Sequence, residues 1–110
     1  MRLPIIFSID DDPQVLQEVL AAFRANTAHS ALELTRAHAD GAVQSVADIA
    51  HKLKSAARTI GAARLGQICA EIEASAASSP RSGAVGALMA AFDNELQAVH
   101  HFLDVRQHHA

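Results

Sequence analysis

The sequence predicts an all-α fold, an antiparallel up-and-down four-helix bundle with an extra N-terminal segment. Three observations carry that expectation. Half of the residues are apolar, yet Trp and Tyr are absent and only four Phe occur. Alanine supplies much of the apolar fraction, which suits closely packed helices better than sheets of β-branched and aromatic side chains. Apolar residues recur at three- and four-residue spacing along most of the chain. The segments so marked are separated by short breaks, and short connections favour antiparallel neighbours. A chain of 110 residues is near the usual size of one domain, so residues 1–110 are expected to form a single one without internal repeats.

The elements follow in order. Leu3 to Ile9 is an apolar run, expected to cover one end of the bundle rather than to pair in a sheet. After it comes Asp10-Asp11-Asp12-Pro13, where Asp12 suits a helix cap and Pro13 the first turn. Val15, Leu16, Val19, Leu20 and Phe23 then mark a helix over about residues 13–25, and Asn26-Thr27 interrupts the pattern with a second capping candidate. Over 28–39 the expectation of a second helix rests on propensity more than on a stripe, since Ala31, Leu32, Leu34 and Thr35 lie between polar residues. Asp40-Gly41 closes that segment and opens the next, over 41–60, which Gly61 ends in the left-handed conformation. Leu65, Ile68, Cys69, Ile72 and Ala76 carry a helix over 62–77, before a loop from Ser78 to Gly83. The last helix, about 83–104, is the most regular, with Val85, Leu88, Met89, Phe92, Leu96, Val99 and Phe102 on one face ahead of a polar tail from Arg106. Four main helices and a fifth, C-terminal one are therefore expected.

Charge and composition exclude several function classes. Nine Lys and Arg stand against twelve Asp and Glu, a net charge of -3, so no broad basic surface is available for nucleic acid. The single cysteine, Cys69, cannot form an internal disulfide; it lies on the apolar stripe, where a packed role outweighs a reactive one. No apolar run approaches the roughly 20 residues that span a bilayer, and no secretory pattern opens the chain. A cytoplasmic protein without membrane contact is expected.

The helix over 41–60 carries the candidate chemistry. Placed on a wheel at about 100° per residue with Leu53 toward the core, Val46, Ile49, Ala50, Ala56, Ala57 and Ile60 all fall within about 60° of it. His51 then lies about 160° away, in an exposed sector with Gln44, Asp48, Ser55 and Arg58, and Lys54 flanks that sector. Lys54 and Arg58 are placed to attract an anion arriving at the ring, and Ser55 is small enough to let another protein come close. On the wheel alone, a plain surface histidine on a solvated face accounts for the same residues.

The wider stretch is more specific. Ala50-His51-Lys52-Leu53-Lys54-Ser55-Ala56-Ala57-Arg58-Thr59-Ile60-Gly61-Ala62-Ala63-Arg64-Leu65, continuing through Ile68-Cys69 to Ile72-Glu73, resembles the phosphoacceptor region of histidine phosphotransfer (HPt) domains. That family has a histidine followed by a core apolar residue, a lysine and a small residue, then a Gly-Ala turn and a Leu, Cys and Glu pattern. Asp11-Asp12-Pro13 with Val15, Leu20 and Phe23, and then Asp40, resemble the upstream pattern, so the likeness covers about residues 11–77. The final helix matches in length and character only. Where the family often has glycine this chain has Ser55, another small residue.

The resemblance implies a phosphorelay intermediate: His51 accepts a phosphoryl group from a receiver-domain aspartyl phosphate and passes it to another receiver. It implies docking or assisting roles for Lys54, Ser55, Arg58, Gln44 and Asp48. It implies no enzyme in the ordinary sense, since the receiver supplies the acidic cluster and Mg²⁺ and the chain itself needs no cofactor. A free imidazole, with an ordinary pKa of about 6.5, is mostly unprotonated at neutral pH and can attack without a dedicated base.

Three other readings compete. Ile5 to Pro13 also looks like the first strand and acidic pocket of a receiver domain, but alternating strands and helices should then follow, and alanine-rich helical sequence follows instead. His100-His101 and His108-His109 invite a metal site, yet neighbours on a helix point about 100° apart and no zinc-ligand spacing occurs. A helical adaptor that binds receivers without accepting phosphate has no need of an intact His51 and Lys54.

Overall fold

The computed structural model describes residues 13–78 and 83–108. Four helices make up that range: α1 (Pro13–Ala39), α2 (Val43–Thr59), α3 (Ala63–Ser78) and α4 (Ala84–His108). The expectations for Leu3 to Ile9 and for Asp12 as a cap, and most of the Ser78–Gly83 loop, lie outside the described residues. At 1.5 Å per residue α1 is about 40 Å long and α4 about 37 Å, against about 25 Å for α2 and α3. The two short helices form the most extensive interface, and the hairpin they make packs against the longer pair.

Two expected helices are in fact one. The break expected at Asn26-Thr27 does not exist, and α1 runs through it without interruption. Thr27 is buried in the core. Its hydroxyl donates back to the Phe23 carbonyl at 2.8 Å, shared with that of Arg24 at 3.2 Å, so the polar group is satisfied inside the helix it was expected to start. With Thr27 counted as an inward position, Leu20, Phe23, Thr27, Leu34 and Ala37 form one buried stripe.

The turns follow from glycine. Gly41 takes a left-handed φ of 70°, and the Ala42 amide donates to the Ala37 carbonyl, closing α1; α2 therefore opens at Val43, two residues later than expected. At Gly61, φ is 83°, and the Ala62 amide donates to the Ala57 carbonyl. This is the reversal expected there, and it sets the register of the α2–α3 hairpin. α4 continues to His108 rather than dissolving at Arg106.

The core is the set the periodicity marked, with additions. Val46, Ala50, Leu53, Ala57 and Ile60 are buried beneath α2, while Ile49 and Ala56 sit half-buried at the edges of the stripe. Leu65, Ile68, Cys69, Ile72 and Ala76 come from α3, and Val85, Met89, Phe92, Leu96 and Val99 from α4. Leu103, fully buried, extends that stripe. Burial pushes the Cys69 thiol up to about 12 against the opposing charge of Lys54, which makes it a packing residue. No strand occurs among the described residues, so the strand–helix alternation of a receiver domain is absent from them. No helix among them is long and apolar enough to cross a membrane.

Candidate functional site

With the buried stripe of α2 turned inward, His51 has to point outward. Its side chain is 58% exposed, and the Nδ1 atom lies 3.0 Å from Oε2 of Glu73. Lys54 Nζ donates to the other carboxylate oxygen, Oε1, at 2.7 Å. One carboxylate thus bridges the histidine and the lysine from across the hairpin. Glu73 is 30% exposed and Lys54 only 18%, its stem covered and its ammonium committed.

The electrostatics of this trio fix the ring. The Lys54 ammonium, and less strongly the His51 hydrogen bond, hold the Glu73 carboxyl below the usual carboxylate range against the cost of partial burial. An ionised carboxylate can only accept, so Nδ1 carries the hydrogen of the neutral ring. Nε2, on the opposite edge, then holds the lone pair.

The remaining residues expected on this face are all exposed on α2: Gln44, Asp48, Ser55 and Arg58. They do not form one cluster. Gln44 Nε2 donates to Asp48 Oδ1 at 2.9 Å, one turn before the histidine. Ser55 returns its hydroxyl to the His51 carbonyl at 3.2 Å, and so presents no free donor outward. The Arg58 side chain makes no hydrogen bond or ion pair among the described residues. Lys54, expected as a free cation beside the ring, is instead joined to it through Glu73.

Glu73 is the residue of this face that periodicity did not single out. Its signal lay in hairpin register: His51 and Glu73 stand nearly equally far from the turn at Gly61, so an antiparallel pair brings them level. Away from this face, His100 is half-buried on α4 with Nε2 2.9 Å from Thr27 Oγ1. Its neighbour His101 is exposed. No group of three or more His, Cys, Asp or Glu side chains is placed to hold a metal ion among the described residues.

Comparison with known proteins bears on this geometry. The chain is similar over its whole fold to the crystal structure of histidine-containing phosphotransfer protein B (HptB) from Pseudomonas aeruginosa. The TM-score is 0.88 at 20% identity, covering 97% of this chain and 93% of that one. At this identity the likeness speaks to the fold. No curated protein sequence matches the chain. The sequence model of the Hpt domain matches residues 18–102, which take in all of α2 and α3 with His51, Lys54 and Glu73. With most of its length matched in this way, the chain belongs to the Hpt domain family.

Proposed function

We propose that His51 is the phosphoacceptor of a phosphorelay intermediate, taking a phosphoryl group from a receiver-domain aspartyl phosphate and passing it to a second receiver. A histidine phosphotransfer role follows from the family; the residue, the direction and the partners are this reading's own. The observation that carries it is the His51–Glu73 hydrogen bond on a ring that is mostly exposed. A ring held at Nδ1 offers Nε2 to solvent as the nucleophile.

The step balances without a base on this chain. The Nε2 lone pair attacks phosphorus, the bond from phosphorus to the aspartyl oxygen breaks, and its electron pair leaves with the receiver's carboxylate. The Nδ1 proton stays in place, and the positive charge that develops on the ring sits against Glu73. Glu73 therefore orients the ring and stabilises the charge of the product, while Lys54 keeps Glu73 ionised. Mg²⁺ and the acidic cluster that neutralise the phosphoryl oxygens come from the receiver. Asp48 and Ser55, one turn to either side of His51, form the near part of the docking face; Gln44 and Arg58, each seven residues away, form its two ends.

The test is incubation of the protein with a panel of receivers carrying labelled phosphate in Mg²⁺. Label on the wild type should be lost in acid and survive alkali, as for a phosphoramidate, and His51→Gln should keep the fold and lose the label. Label persisting in His51→Gln would move the acceptor elsewhere. If no receiver labels the wild type, a receiver-binding adaptor takes the place of this reading.

A further inference from the structure

Gly66 is buried on α3, packed against Ala57 and Arg58 at the C-terminal end of α2. A Cβ placed there would stand 3.3 Å from Cγ of Arg58, 3.8 Å from its Nε and 3.7 Å from Cβ of Ala57. The Ala57 distance is ordinary van der Waals contact. The Arg58 distance is tighter than side chains normally adopt, so the aliphatic stem of the arginine rests on bare backbone that only glycine leaves open.

Arg58 differs from the other cations around it. Lys54 is bound to Glu73, Arg64 pairs with Glu95 at 3.3 Å, and Arg24 pairs with Asp104 at 2.8 Å. Lys52 lines the groove beside Asn26 and Ser30 of α1, off the His51 face. Arg58 follows His51 by seven residues, which is two turns along the same face and about 10 Å from it. Its guanidinium has no acidic partner among the described residues.

We propose that Gly66 is a positioning residue for docking: its missing side chain seats the stem of Arg58 and aims the guanidinium at a carboxylate on the partner receiver. This rests on the phosphorelay reading above. A planar guanidinium pairs with a carboxylate through two parallel N–H bonds, so its direction matters as well as its charge. A methyl group at Gly66 obliges the arginine stem to give by a few tenths of an ångström, so the charge is kept while the seat that directs it is lost.

The experiment uses whichever receiver of the labelled panel transfers fastest to the wild type, with KM and kcat measured for Gly66→Ala, Arg58→Ala and the double variant. Gly66→Ala should raise KM roughly threefold at low salt with kcat unchanged, and the difference should shrink as salt rises. In the Arg58→Ala background the same substitution should add nothing. The melting temperature should not fall, because alanine is the better helix former and the exposed arginine takes up the clash. An unchanged KM, an equal rise in KM without Arg58, or a fall in melting temperature would each overturn the proposal while leaving His51 as acceptor. Failure of any receiver to label the wild type would instead overturn the phosphorelay reading, and this inference with it.

Discussion

His51 and His100 are both held through one ring nitrogen, and they are held for opposite ends. His51 is bonded at Nδ1 by an anion across the α2–α3 hairpin, and most of its side chain is exposed. His100 is bonded at Nε2 by the Thr27 hydroxyl between α4 and α1, and it is half-buried. That hydroxyl has already given its proton to the Phe23 and Arg24 carbonyls, so His100 must donate and the outer nitrogen of its ring is consumed. Burial first, and then the charge of Arg24, lowers the His100 pKa against the pull of Asp104. On the function proposed above, a carboxylate partner at the inner nitrogen leaves the outer one for nucleophilic attack; a hydroxyl partner at the outer one makes a piece of helix packing. The partner atom, rather than the residue type, separates the two.

Labelling by phosphorylated receivers is the sharpest way to break this contrast. His51→Gln should abolish the acid-labile label, whereas His100→Gln should keep it at near wild-type yield. Loss of label in His100→Gln with the fold intact, measured alongside circular dichroism, would show that the two sites are not separate.

The core beneath His51 gives the next largest effect. Leu53→Ala should cost about 2–5 kcal/mol of unfolding free energy, the usual result of emptying a packed position, while Arg58→Ala on the opposite side should change it by less than about 0.5 kcal/mol. Coincident urea midpoints for the two would mean that α2 is rotated from the orientation that exposes His51.

Glu73→Gln keeps the shape of the bridge and removes its charge. The expected result is about tenfold slower transfer with little change in stability, since a hydrogen bond to a charged group is worth roughly 1.5–3 kcal/mol and this one is partly exposed. Stopped-time labelling would measure it. A rate equal to wild type would leave Glu73 without a part in orienting the ring.

The smallest effects are in pH dependence, and the two sites separate there by window. The folded pKa of His100 lies below its ordinary 6.5, so the unfolded chain takes up more protons as pH falls through that value. Its contribution to stability is present above pH 6.5 and is lost below it, by less than about 1 kcal/mol because the ring is only part-buried. Glu73 is depressed from an ordinary 4.5, so its contribution is present above that pH and is lost only as pH falls further. Urea midpoints against pH should flatten just below 6.5 in His100→Gln and only on the acid limb in Glu73→Gln. The reverse assignment of windows would show that the two environments have been exchanged.

The short helices were more legible in the sequence than the long first one. Along α2 every buried position is apolar, and so are Ile49 and Ala56 at the stripe's edges, so period alone orients the helix and turns His51 outward. In α1 the inward position at Thr27 is polar, and an Asn-Thr pair has the chemistry of a cap. Only the folded structure, with the Phe23 carbonyl one turn back and His100 brought in from the distant last helix, shows that the hydroxyl is satisfied in place. Gly61 was legible because a left-handed residue after a helical stripe has few alternatives to glycine.

By itself the sequence determined the helical class, the inward face of α2, the reversal at Gly61 and the exposure of His51. Each of these is a local consequence of side-chain size, period or backbone freedom. Tertiary structure decided that α1 is continuous, that Lys54 is committed to Glu73 rather than free, that Nδ1 of His51 is the held nitrogen, and that Arg58 rests on Gly66. The last three are contacts between residues on different helices, and the polar Thr27 within α1 is met in part by another, its hydrogen bond with His100. Hydrogen bonds and van der Waals contacts reach only a few ångströms, and until the hairpin closes nothing in the chain brings such atoms within that range.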